Sequence, residues 1–184
     1  MNTTTLVAIL IGVVAVVVIA LVVYLVVRRR RRRRLATARE EYGPEYQRVA
    51  EERGSEEQAE KELRERRGTV EDNVRPLPDE SRERYDEEWR GNVEQTFIND
   101  PAAALDEADR VIERVLVERN FPTGSREEAG DGLGAMYPGV AEDFREAQRI
   151  HKEGTSREGG GADLEQMRRA IQKYRSVYER LTED

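Results

Sequence analysis

The chain has 184 residues, 38% of them charged, a net charge of −7 and no cysteine, so disulfides, thiolate catalysis and cysteine metal sites are excluded. Arg28, Arg29, Arg30, Arg31, Arg32, Arg33 and Arg34 supply +7 and the first 34 residues hold no acid, which leaves −14 on residues 35–184. An acidic chain of this kind argues against nucleic acid as a partner, because phosphate binding needs a positive face.

The first element is residues 6–27, LVAILIGVVAVVVIALVVYLVV, without one charge or proline. At 1.5 Å per residue a helix of this length covers roughly 33 Å, enough for a hydrocarbon core of about 30 Å. The run is too long for a cleaved secretory signal, has no basic start, and meets arginine where a cleavage site would fall. A retained transmembrane helix is therefore expected, with residues 1–5 as a short outer terminus. Lys and Arg beside a membrane helix stay on the cytoplasmic side. The seven arginines at 28–34 follow the helix and none precede it, so the sequence predicts a plasma-membrane protein with its N-terminus outside and its C-terminal domain in the cytoplasm. The same belt is expected to stop transfer and to contact anionic lipid headgroups. Ala8 and Gly12 form one small-xxx-small pair, a candidate face for a weak homodimer.

Residues 35–78 read as a juxtamembrane region. A helix continues from Leu35 to about Glu52, interrupted at EYGPEY (41–46), where Gly43 and Pro44 disfavour helix. Ser55 and Gln58 form a capping pair that opens a charged helix to Arg67, closed by Gly68. Leu63 is its only large apolar residue, so it cannot stand alone. VEDNVRPLP (70–78) reads as an extended connector.

Residues 79–184 read as an acidic helical bundle. Tyr85, Trp89, Val93 and Phe97 recur every four residues on a helix from Asp79 to Ile98, and core packing is the simpler account of them than an exposed anchor. Asp100 is placed to cap the next helix, with Pro101 at its first position. Leu105, Ala108, Val111, Ile112, Val115 and Leu116 make its apolar face. Ser125 with Glu128 opens a short helix, and Val140, Phe144, Ala147 and His151 stripe the one after it. A flexible loop is expected at 154–162. Asp163 and Gln166 cap the last helix, whose stripe is Leu164, Met167, Ile171, Tyr174, Tyr178 and Leu181. The fold expected is all-α: one N-terminal transmembrane helix followed by a small antiparallel bundle.

No pattern of catalytic, cofactor-binding or metal-ligating residues emerges. His151 is the single histidine, too little for a triad or a zinc site. The many carboxylate pairs lack the Glu-x-x-His motif of di-metal bundles, and GGG at 159–161 lacks the lysine of a phosphate loop. The chain is thus expected to be non-enzymatic, to need no cofactor, and to present its acidic domain to a protein partner. The alternative is an envelope structural or regulatory element acting through lipid contact and self-association of the anchor.

The order of EYGPEYQRVAEE, AEKELRERR, RPLP, RERYDEEW, FINDPAAALDEADRVIERVLVERNFP, YPGVAEDFREAQRIH and MRRAIQKYRSVYERL resembles an uncharacterised actinobacterial family of small α-helical proteins. The resemblance spans Tyr42 to Leu181, and its most specific pieces are Gly-Pro-Glu-Tyr at 43–46 and Asp-Pro at 100–101. It implies an α-helical domain in an envelope setting. It brings no activity, cofactor or site residue.

Overall fold

Leu, Ile and Val from 6 to 27, then arginines, then Ala-rich and Glu-rich sequence carry no proline and one glycine, Gly12, before Gly43, and α-helix runs from Thr3 through this stretch. The computed structural model describes residues 3–155 and 163–183, with side chains for 18–154 and 163–183. Every element among the described residues is helical. The chain divides into two compact units, Met1–Glu41 and Tyr42–Asp184.

The first unit holds most of α1 (Thr3–Arg53). Of the expected transmembrane run, the side chains of 6–17 lie outside the described residues, Ala8 and Gly12 among them. Among the described residues no helix is long and apolar enough to cross a membrane. The described part of the run, 18–27, is apolar and solvent-facing on every side: its large residues are between 45% and 62% exposed. Arg28–Arg34 follow in the same helix, all exposed.

In the second unit α1 is broken at Gly43, whose φ of 47° and ψ of −121° fall where a side chain is disfavoured. The helix resumes at Pro44 and ends at Arg53. It is followed by α2 (Glu56–Glu71), α3 (Asp79–Glu88), a π-helical turn (Trp89–Glu94), α4 (Gln95–Asn99), α5 (Pro101–Glu118), α6 (Arg126–Met136), α7 (Pro138–Thr155) and α8 (Leu164–Thr182). Helix α7 runs to Thr155, into the loop expected at 154–162, of which 156–162 lie outside the described residues. Two boundaries nearer the start of the unit also differ from the sequence reading. Helix α2 runs through Gly68 to Glu71, because Val70 is buried and holds the last turn down, which shortens the connector to 72–78. The segment 42–71, read as juxtamembrane, belongs to the compact unit: Tyr42, Tyr46, Val49, Ala59 and Leu63 are buried.

The main core lies between α5, α7 and α8, closed by α3 and α6. All six apolar residues expected on α5 are buried. Tyr85, Trp89 and Val93 are buried with them, and Trp89 stacks on Tyr178 with ring centres 4.6 Å apart. The caps form as spaced: Asp100 accepts from the Ala103 amide at 3.0 Å, Ser125 from Glu128 at 3.0 Å, and both bonds of the Asp163–Gln166 box are present. One stripe residue departs. Leu164 is 62% exposed, and Ala170 and Val177 complete the buried face of α8 in its place.

Candidate functional site

Seven consecutive arginines on a helix of 3.6 residues per turn cover two turns, so their guanidiniums point in every radial direction. Arg28–Arg34 thus form a positive collar directly after the apolar stretch. Nothing in helical geometry turns such a collar inward. An arginine remains charged at any physiological pH and binds phosphate or carboxylate through paired hydrogen bonds.

Inside the second unit the ionic chemistry concentrates around Glu45. Pro44 restarts the helix after the Gly43 break, and the next residue, Glu45, is only 3% exposed. Its carboxylate accepts from Arg48 at 2.5 and 3.2 Å and from Arg145 on α7 at 2.7 and 3.0 Å. Asp131 on α6 accepts from Arg48 at 2.7 Å and Arg145 at 3.3 Å, and Arg66 on α2 lies 2.8 Å from its other oxygen. Three guanidiniums thereby surround two carboxylates drawn from four helices. Burial alone raises the Glu45 carboxyl; the hydrogen bonds and charges of Arg48 and Arg145 outweigh it and hold it below the ordinary glutamate value. Room for the carboxylate comes from Gly134, where an added Cβ would stand 2.5 Å from Glu45 Oε1.

A second network joins α5 to α8. Buried Asp109 accepts from the Tyr174 hydroxyl at 3.0 Å and from Arg126 at 2.8 Å. Tyr174 is raised well above the usual phenol range, by burial first and then by the Asp109 charge. His151, the candidate weighed from sequence, lies 2.6 Å from Asp106 through Nε2 and sets its ring edge against Tyr174. That is a packing position between α5 and α8. Beside this network a small cavity of about 50 Å³ opens among Asp109, Leu116, Ala129 and Phe144. Arg119 is also buried, donating to the Leu181 carbonyl at 2.8 Å and the Arg75 carbonyl at 3.1 Å, which ties the end of α8 to the connector.

Along α7, Arg145, Gln148, Arg149 and Lys152 stand at i, i+3, i+4 and i+7 and share one face. With Arg126 and His151 they line an open groove of about 590 Å³. Sequence reasoning missed Glu45, Asp131 and this stripe. The stripe was visible as spacing alone, whereas the meeting of Glu45 and Asp131 on Arg145 has no local signal. Among the described residues no group of His, Cys, Asp and Glu is arranged to hold a metal ion. No known protein family, curated protein or solved structure matches the chain.

Proposed function

We propose that the chain is a single-pass membrane protein without enzymatic activity, whose anchor holds an acidic helical bundle at the inner face of the plasma membrane as an interaction module for another protein. The observation that carries the reading is the first unit: residues 18–27 are apolar and exposed around the whole helix, and an arginine collar follows at once. A helix apolar on all sides has no stable place in water, and lipid is the solvent that suits it. The preceding uncharged residues 6–17 bring the run to the length a bilayer requires. The collar then sits at headgroup depth, where each arginine gains about 1 kcal/mol from anionic lipid. Support for an interaction role comes from the second unit, whose ionic groups are spent on holding helices together and whose single histidine is engaged by Asp106. The resemblance to actinobacterial envelope proteins is in keeping with this setting.

The test is extraction. Membranes from cells expressing the full chain are washed at alkaline pH, which strips peripheral proteins. The chain is expected to stay in the pellet and to enter solution only with detergent. Release by alkali would defeat the anchor. Exchanging residues 6–27 for an unrelated apolar helix then separates the two roles considered for the anchor. An interaction module keeps its activity after the exchange, whereas an element working through self-association of Ala8 and Gly12 loses it.

A further inference from the structure

The second unit is acidic, yet one of its concave surfaces is not. Among the described residues the groove formed by Arg126, Arg145, Gln148, Arg149, His151 and Lys152 is lined by hydrogen-bonding side chains with no carboxylate among them. Four of the six come from one face of α7, within about 100° of arc. The six are held differently. Arg145 is fixed by Glu45 and Asp131, and Arg126 by Asp109, so these two are oriented from beneath. Among the described residues Arg149, 58% exposed, is paired with Glu153 one turn on, itself 52% exposed. Such surface pairs contribute between about 0 and 1 kcal/mol, so an incoming carboxylate can replace Glu153 at small cost. Lys152 is exposed beside it.

We propose that this α7 stripe is the docking surface for an acidic segment of a partner protein, with carboxylates spaced to meet Arg145, Arg149 and Lys152 on successive turns. The proposal rests on the interaction-module reading and names the chemistry of its partner. Charge complementarity selects the occupant. The flanks of the stripe are acidic: Arg145 and Arg149 also line an adjoining pocket with Glu45, Glu142 and Glu146, and Lys173 on α8 is held between Asp143 and Glu146 at 2.8 Å from each. An extended polyanion such as a nucleic-acid duplex or a bilayer would meet those acids and the −14 of residues 35–184. A single peptide segment lies on the stripe alone. The groove is open rather than enclosed, which suits a helix or strand laid along α7.

The experiment uses the full chain in nonionic detergent and a dye-labelled helical peptide of neutral residues with glutamates at i, i+4 and i+7. Binding is followed by fluorescence anisotropy at low salt. The chain is expected to bind saturably, with affinity falling as salt rises. The double variant R149E/K152E is expected to weaken binding at least about tenfold. R168E/R169E on α8 changes net charge equally and is expected to leave binding within about twofold. Circular dichroism and melting curves establish that both doubles keep the fold. No binding up to about 1 mM peptide, a range weaker than ordinary recognition, overturns the proposal. So does equal weakening by both doubles, which would make the effect one of net charge. Inorganic pyrophosphate binding more tightly than the peptide would make the groove a phosphate site and also overturn it. Anisotropy in detergent does not depend on membrane insertion, so failure here and release by alkali are separate results.

Discussion

A carboxylate taken out of water needs close cationic partners, and Glu45 has two guanidiniums within hydrogen-bonding distance. Its neutral isostere tests what that arrangement contributes. Glu45→Gln leaves Arg48 and Arg145 with only Asp131 of the two carboxylates they share and is expected to lower stability by about 2 to 4 kcal/mol at pH 7. The pH dependence gives the sign. The folded carboxyl lies below its unfolded value, so its contribution is complete above about pH 5 and is withdrawn as pH falls through the folded value. The stability gap between the parent chain and Glu45→Gln should therefore narrow in melts recorded from about pH 5 down to pH 3. A constant gap would mean that folding leaves the Glu45 carboxyl unshifted, and a gap that changes in the opposite sense would mean the fold holds it neutral. Gly134→Ala probes the same contact from the other helix, since the new methyl would stand 2.5 Å from Oε1 and 2.6 Å from Cδ of a carboxylate that cannot swing away. A loss of about 1 to 3 kcal/mol is expected. Neither residue announces this role in the sequence. Glu45 reads as one of 38 acids and Gly134 as one glycine of DGLG, and only the fold brings them together.

At the scale of elements, what the sequence displays is what is settled within a few residues. Asp100-Pro101 and Ser125 are caps because the accepting oxygen and the donating amide lie three positions apart. Asp100→Ala is accordingly expected to cost about 1 kcal/mol, read from chemical denaturation of the full chain in detergent. The Tyr85, Trp89, Val93, Phe97 stripe shows the other case. In a regular α-helix a spacing of four drifts about 40° per step, so the four would spiral off one face. The chain adopts a π-helical turn at Trp89–Glu94, whose wider winding returns Trp89 and Val93 to the core, while Phe97 beyond it is only half-buried. Trp89 there stacks on Tyr178 across the core, a long-range partner that local spacing does not contain. Helix α2 was similarly opaque, because what extends it past Gly68 is the burial of Val70. Gly43→Ala tests the break in α1. A methyl at φ 47°, ψ −121° is strained although no atom lies within 4 Å of it, so a destabilisation of about 1 to 3 kcal/mol is expected from backbone conformation alone.

Considered whole, the chain separates its charge by position: a positive collar at 28–34 and −14 beyond it. The bundle offsets a modest apolar content, 47 of residues 35–184, by joining helices through ionic and phenolic contacts. Glu118, for example, accepts from Tyr85 at 2.8 Å and Arg84 at 2.9 Å, and Tyr178 donates to Asp86 at 2.6 Å. The helical class was legible because periodicity and caps are local, while the ionic joints were not. The charge asymmetry has a consequence for orientation. If the collar governs insertion, the acidic unit ends on the side where the arginines stop, which the positive-inside rule makes the cytoplasm. The chain has no cysteine, so Gln172→Cys, on an exposed turn of α8, carries the only thiol. Intact cells treated with a membrane-impermeant maleimide should leave that thiol unlabelled, and lysed cells should label it fully. Converting Arg28–Arg34 to glutamine removes the retained charge and should allow a fraction of the chains to insert with the thiol outside. Labelling of the parent chain in intact cells would place the acidic unit outside. It would also show that the collar does not set topology, and partners for the α7 stripe would then be sought among extracellular proteins.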